Sequence, residues 1–312
     1  MDAAQPPIPL CPLTGLPAVR RLQWLYPRTL EKLWRYSFRT DIARFTAGVA
    51  RFGLWESPCG LMFFDPMIAG DRRFYEDFYG GHDMHARLAG RGVSRPEFDD
   101  VAEFVRPGMK FLDVGSGDGG LEPHLPGVEY WGLDTYAGGD RANILPETIE
   151  RHAERQPGSY DAVGSFQVAE HVADPRGFAE AMVKALKPGG LFLLSVPLWP
   201  SPMTAVPNFV INAPPHHLSW WNEKSLRVLC DLLGLAVREI RPVPFAGGIS
   251  VIYWMSRFAP RRRERRFFSS AWTWHLSLVA CWLGGAALDR LFRVPKDAPP
   301  AELLLIAEKP AA

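Results

Sequence analysis

The chain has 312 residues, of which 47% are hydrophobic and 22% charged, and its 35 Lys and Arg against 34 Asp and Glu leave a net charge of +1. That length and apolar content bury a full core, which excludes disorder and coiled coil for the whole chain, and the near-zero charge excludes a global field that would draw it to nucleic acid or an anionic surface. Four dispersed cysteines, Cys11, Cys59, Cys230 and Cys281, form no C-x-x-C pair; with no basic and apolar leader at the start, they point to a reducing, cytoplasmic setting rather than a disulfide framework.

In chain order, residues 1–106 are rich in aromatics, Arg and Pro and show no strand-helix alternation, so they are expected to form a separate cover segment. From Met109 to Pro242 short apolar runs alternate with Gly or Pro turns and helical patterns, the signature of a parallel α/β sheet. Strands are predicted at Lys110 to Val114, Tyr130 to Asp134, Ala142 to Leu145, Ala162 to Phe166, Leu191 to Val196 and Ala236 to Arg241. Asp174 is positioned to cap a helix with Pro175 at its first position; Phe178, Met182 and Leu186 share one face of it, and Gly189-Gly190 are expected to end it. A second helix runs from Glu223 to Leu233, with Leu226, Leu229 and Leu233 on one face and Gly234 as its stop.

An insertion over 247–298 then precedes a last strand at Glu302 to Ile306. Within it, Arg261, Arg262, Arg263, Arg265 and Arg266 lead into Ser269 to Leu288, twenty residues without Lys, Arg, Asp or Glu. Twenty such residues meet the length criterion for a membrane span. Topology opposes one: the last strand must return beside Ala236 to Arg241, and a single crossing leaves it on the wrong side of the bilayer. Trp272, Trp274 and Trp282 behind an Arg cluster match interfacial segments. The expectations are therefore contact with the inner face of a membrane through 261–288 or, equally weighted, packing in the core or in a homodimer.

The strongest chemical signal is Lys110-Phe-Leu-Asp-Val-Gly115-Ser-Gly117-Asp-Gly119-Gly120, an apolar strand running into a glycine loop against which a ligand can lie. Asp113 ends that strand, and Asp134 closes the next, where an acid accepts ribose hydroxyls. The dinucleotide fingerprint wants G-x-G-x-x-G with a helix N-terminus held open for pyrophosphate, whereas this loop carries Asp118 and no basic residue near it in sequence. A cationic sulfonium ligand suits this loop better than a diphosphate.

Asp113-Val-Gly-Ser-Gly-Asp-Gly119, Gly132-Leu-Asp134, the stretch from Tyr160 to Glu170-His171-Val-Ala-Asp-Pro175, and Leu186-Lys-Pro-Gly-Gly190 together resemble the class I S-adenosylmethionine-dependent methyltransferases. The E-H-V-x-D-P stretch is similar to the branch holding the ubiquinone O-methyltransferases and many bacterial small-molecule and sugar methyltransferases. The resemblance implies an α/β fold, a Rossmann-like seven-stranded sheet, mostly parallel with an antiparallel last strand, and S-adenosylmethionine as cofactor. It implies that Asp113 is among the cofactor-binding residues, that the Gly115 and Gly117 backbone lies along the methionine part, that Asp134 holds the ribose, that Thr148 and Ile149, ahead of Asn143 and Glu147, border adenine, and that Phe166 and Gln167 border the sulfonium side.

A hydroxyl acceptor needs a place for its proton. His171 and His217, both at the carboxyl edge of the sheet, are the candidate bases, with His216 ranked below them and packing roles the alternative for each. In the ubiquinone O-methyltransferases acids beside the E-H pair bind a divalent metal; here Gln167 stands at the leading acid position, so no metal is expected and Glu170 is left as an orienter or hinge. The family's N-P-P-Y-type motif for planar nitrogen is missing after the fourth strand, which argues against nucleic-acid bases. Cys11-Pro-Leu-Thr-Gly15 and Glu56-Ser-Pro-Cys59-Gly60 resemble two halves of a zinc ribbon with one cysteine each, implying a metal-free cover. Phe74 to Tyr79 is expected to be a helix over the cofactor, with Tyr75 or Tyr79 at the methionine end or anchoring the helix. The expected activity is O-methylation of a small molecule, sugar or lipid-linked glycan. The alternatives are C- or N-methylation of a nucleotide sugar and a non-catalytic cofactor-binding partner at a membrane.

Overall fold

The computed structural model describes residues 7–80, 95–137, 141–245, 249–260 and 266–311. Among them, the N-terminal part is built from β1 (Arg20–Leu25), α1 (Pro27–Phe38), β2 (Phe52–Glu56), β3 (Met62–Asp65), α2 (Arg72–Gly80) and α3 (Pro96–Ala102). The expectation of no strand-helix alternation here was wrong. Aromatic side chains fill strand and helix positions alike in this segment, which blurs the two periodicities.

The main sheet comprises β4 (Lys110–Val114), β5 (Glu129–Leu133), β6 (Ile144–Leu145), β7 (Tyr160–Phe166), β8 (Leu186–Pro197), β10 (Ala236–Val243) and β11 (Glu302–Glu308), in the order β10-β11-β8-β7-β4-β5-β6. The ladders from β8 through β7, β4 and β5 to β6 are parallel, and β11 alone inserts antiparallel between β8 and β10. The strand order reverses between β4 and β7, and a doubly wound sheet binds its ligands outside the strand carboxyl ends at such a reversal.

Period-two alternation assigns the two faces of this sheet. On β8, Phe192, Leu194 and Val196 join one core with α5 (Pro175–Ala185) and α6 (Glu223–Leu233), while Leu191 and Leu193 join the other with Phe98 and Val101 of α3. Both faces are covered, so the central strands read as continuous apolar runs. Asp174 caps α5 by accepting from Gly177 N–H, with Pro175 in the first turn, and Gly234 closes α6 in the left-handed region. The expected end of α5 at Gly189-Gly190 is corrected. The helix stops at Ala185, and Leu186 already pairs with Tyr160, so the glycines lie inside β8. The third strand is also shorter than predicted, two residues only.

A second, antiparallel sheet has the order β1-β2-β3-β9, and its last strand, β9 (Ser219–Trp220), comes from the chain beyond β8. Trp34, Phe52, Phe64, Phe74, Phe78 and Trp220 form its core. Through β9 the cover is laced to the main sheet, and Leu218 N–H donates to the carbonyl of Glu170 at 2.7 Å.

The insertion between β10 and β11 folds as a helical pair, α7 (Ser250–Arg257) and α8 (Trp272–Leu291). A Cβ built on Gly284 would lie 2.7 Å from the Phe258 ring, and one on Gly285 would lie 2.6 Å from Met255. These two glycines let the helices touch. No helix among the described residues is long and apolar enough to cross a membrane. Arg261, Arg262, Arg263 and Arg265 of the predicted basic cluster lie outside the described residues; Arg266 is exposed.

Candidate active site

The loop after β4 turns through Gly115, Gly117 and Gly119 at φ of 78°, 53° and 78°. Gly115 is fixed by crowding as well as by backbone angle, because a Cβ there would come within 2.3 Å of Val168 beyond β7. Asp134, one residue past β5, accepts from Gly117 N–H at 2.9 Å and from Tyr136 N–H at 2.7 Å. The carboxylate is thus pinned at the loop, half-buried, with lone pairs left to accept hydroxyls. Asp113 points the other way into the core, where its Oδ2 accepts the Tyr130 hydroxyl at 2.7 Å and burial pushes its carboxyl up to about 6.

Arg141 corrects the picture of a loop without a basic neighbour. It folds back to donate to the Asp118 carbonyl at 2.7 Å and pairs with Glu122. Its charge is answered by that acid, so among the described residues the loop still offers no free cation to a diphosphate. Thr148 caps the helix α4 (Ile149–Arg155) by accepting from Arg151 N–H at 3.4 Å, and Ile149 is buried in the core. Phe166 is buried edge-on to the Phe98 ring. Gln167, at φ 61°, donates its amide to Ser195 Oγ at 2.9 Å, spanning the ends of β7 and β8.

α2 lies across this edge. Its Arg72 donates to the carbonyls of Thr135 and Tyr136 just past Asp134, at 2.6 and 3.1 Å. On the helix Phe74 and Phe78 face the cover core, while Tyr75 and Tyr79 stack with each other at 6.1 Å. Tyr75 also meets Tyr136 at 5.6 Å and the His171 ring edge-on at 5.9 Å. The predicted helix is present, and its tyrosines span from Tyr136, near Asp134, to the histidines.

His171, His216 and His217 come together, with ring centroids 4.4 to 4.9 Å apart. His171 sits in the tight turn Ala169–His171, where its Nδ1 donates to the His216 carbonyl at 2.8 Å and its Nε2 faces Glu170 Oε1 at 3.6 Å. His217 Nε2 is 4.0 Å from the same oxygen, and its Nδ1 is buried without a partner. His216, ranked lowest from sequence, is an equal member: Nδ1 meets the Ile211 carbonyl at 3.1 Å and Nε2 the Tyr79 hydroxyl at 3.3 Å.

Both carboxylate oxygens of Glu170 are buried without a hydrogen-bond partner, which is costly for a charge. Burial pushes this carboxyl up to about 8 and drives His171 down to about 4, with His216 and His217 also well below the usual imidazole range. At neutral pH the cluster therefore holds neutral imidazoles beside an acid poised to titrate. The three histidines place ligand atoms within 4.8 Å of one another, close enough to hold a metal ion. In the cover, Cys11 and Cys59 bring their sulfurs to 3.7 Å, and Ser57 Oγ approaches Cys59 Sγ at 2.9 Å.

Two residues at the same edge escaped the sequence reading. Glu302 opens β11 opposite Pro197 and is buried; burial and then Glu97 push its carboxyl up to about 8, while Arg95 draws it back. Arg95 pairs with the buried Glu97 at 2.8 Å. An acid opening the apolar run Leu303–Ala307 was the available signal for Glu302; the partnership with residues some two hundred positions earlier had none.

The model of a family described as "Methyltransferase domain" matches residues 82–240, just over half of the 312-residue chain. Curated relatives include a ubiquinone biosynthesis O-methyltransferase of Pectobacterium carotovorum, 38% identical over 97 residues that cover 27% of this chain and 41% of the relative, and one of Vibrio atlanticus, 35% identical over 97 residues, with 27% and 41% covered. The chain spans about two fifths of the length of these relatives. Among solved structures, a SAM-dependent methyltransferase of Archaeoglobus fulgidus is 16% identical, with 76% of this chain and 98% of that chain covered at a TM-score of 0.46. A Burkholderia thailandensis 1,6-didemethyltoxoflavin-N1-methyltransferase, solved with that molecule and S-adenosylhomocysteine, is 13% identical, with 84% and 96% covered at 0.46.

Proposed function

The chain belongs to the class I S-adenosylmethionine-dependent methyltransferases, and from that premise we propose that it methylates an oxygen of a small molecule, a sugar or a lipid-linked glycan. When bound, the cofactor supplies an electrophilic methyl group for in-line displacement. The chain's own residues fit it: Asp134 is held ready for ribose hydroxyls, the glycine loop admits a ligand against its backbone, and no unpaired cation among the described residues of the loop opposes a sulfonium. Arg72 and Tyr75 on α2 close over the same edge, which helps to exclude water and to orient the acceptor.

The observation that carries the oxygen reading is the buried Glu170-histidine cluster. A hydroxyl acceptor loses a proton as it is methylated, and a carboxylate near 8 is matched to take it at physiological pH. In this reading the acceptor's proton reaches His171 Nε2 or His217 Nε2. Glu170, 3.6 and 4.0 Å away, offsets the charge that develops on the imidazole or takes the proton onward. His171 Nδ1, tied to the His216 carbonyl, fixes the tautomer that leaves Nε2 as acceptor. Glu170, with both protonation states within reach and the two imidazole Nε2 atoms beside it, serves proton transfer better than it serves a passive binder.

Incubation of the full chain with S-adenosylmethionine carrying an isotopic methyl group and a cell extract, followed by mass spectrometry, tests the proposal. It expects a labelled methyl ether or ester. Label confined to carbon or nitrogen, or cofactor binding by calorimetry without any labelled product, would overturn it.

A further inference from the structure

Helix α8 breaks the burial rule in a way that methyl transfer does not use. Trp272, Leu276, Val279 and Leu283 recur at i, i+4, i+7 and i+11 and are 71%, 56%, 51% and 57% exposed, with Trp282 beside them at 56%. Leu291 at the helix end and Phe292 just after it are exposed as well. The opposite side is spoken for: Cys281 and Gly285 are buried, and Gly284 and Gly285 lie against Phe258 and Met255. The helix is thus fixed on one side by close packing and apolar along the other from Trp272 to Leu283, over a length of about 17 Å at the rise of an α-helix. A contiguous apolar stripe of this size on an otherwise ordinary surface marks an interaction site.

We infer that this face of α8 docks in the plane of an anionic membrane surface. The charge around it selects that occupant. Arg257 and Arg266 precede the helix, Arg290 lies in its last turn, and Arg293 and Lys296 follow it, all five exposed, against one exposed acid, Asp297, beyond the helix. The one acid in the helix, Asp289, is engaged by the Ser250 hydroxyl at 2.6 Å. A second copy of the chain, paired face to face across this stripe, would bring its basic residues against these. Anionic headgroups meet them with opposite charge, and each basic residue at such a surface contributes about 1 kcal/mol. Trp272 and Trp282 have rings suited to headgroup level. The packing of α8 on α7 keeps the helix lying on the surface rather than surrounded by lipid. A cavity of about 620 Å³ lies at the foot of the same pair, lined by Trp199, Phe267, Ser256, Ala259 and Arg266 among others. An amphiphile leaving the bilayer would meet it first.

The test is flotation of the full chain with vesicles of phosphatidylcholine alone and of phosphatidylcholine with phosphatidylglycerol. The chain is expected to float with the anionic vesicles, to be released by high salt, and to show a blue shift of tryptophan emission on binding. Leu276→Gln with Leu283→Gln should cut the bound fraction about tenfold or more, from the loss of two buried leucines. The double variant should retain cofactor affinity by calorimetry, which verifies its fold and keeps this test separate from the methyl-transfer reading. Absence of flotation with both vesicle types overturns the inference. So does a dimer in analytical ultracentrifugation that the same double variant dissociates and anionic lipid leaves intact.

Discussion

The carboxyl edge of the main sheet and the outer face of α8 break the same rule in opposite directions. At the edge, Glu170 and His217 carry polar atoms into the interior without partners; on α8, tryptophan and leucine side chains stand in water. In the aromatic core of the cover two buried tryptophans are partnered, Trp34 donating to the Pro214 carbonyl at 2.9 Å and Trp220 to that of Asn212 at 3.0 Å. Orphaned polar groups facing inward call for a small reactant that completes them. Orphaned apolar groups facing outward call for an extended surface.

The largest effect that would break this contrast lies at the edge. Glu170→Gln or His171→Ala should lower kcat about 10²- to 10⁴-fold, the usual range for a lost proton acceptor, with cofactor affinity nearly unchanged; steady-state rates and calorimetry read the two separately. Full activity in both variants would reduce the cluster to packing. Asp134→Ala should weaken cofactor binding about 10- to 100-fold through lost hydrogen bonds to a charged group, measured by calorimetry.

The pH dependence sharpens the same point. Because Glu170 is held up to about 8, turnover should rise with pH as that acid loses its proton and level off above it, and Glu170→Gln should erase the rise. Stability should run the other way on the alkaline side. Glu170 and Glu302 have raised folded-state values, so their contribution is full below the ordinary carboxylate range and is lost as pH rises through about 8. The histidines, depressed in the fold, contribute above their ordinary value near 6.5, and that contribution is lost as pH falls, for His171 through about 4 and for His216 and His217 well below 6.5. The melting temperature of the cofactor-free chain should therefore peak near pH 6.5 and drop by roughly 5 °C toward pH 8, and Glu302→Gln should flatten that drop. The smallest expected effect is none: treatment with a chelator should leave turnover unchanged. Loss of turnover restored by a divalent transition ion would instead make His171, His216 and His217 metal ligands.

Much of the sheet was legible because its strands are buried on both faces and read as apolar runs. Lys110–Val114, the cap at Asp174, the stop at Gly234 and the last strand at Glu302 follow from local chemistry. The early start of β8 was not, since Leu186 leaves the helix only because Tyr160 offers a pairing partner from elsewhere in the chain. The cover strands were hidden by interleaved aromatics. At the site, His171 and His217 were visible as histidines at a sheet edge. The membership of His216, the place of Glu302 beside Glu97 and Arg95, and the return of Arg141 onto the glycine loop depend on tertiary contacts that no local pattern encodes. The inward turn of Asp113 toward Tyr130 is of the same kind.

The most direct test of the account is the labelled-methyl reaction run side by side with wild type and His171→Ala. The account predicts an oxygen-linked labelled methyl group with wild type and its near loss in the variant, with both proteins binding the cofactor equally in calorimetry. Equal product from the two, or label on carbon or nitrogen alone, would contradict it.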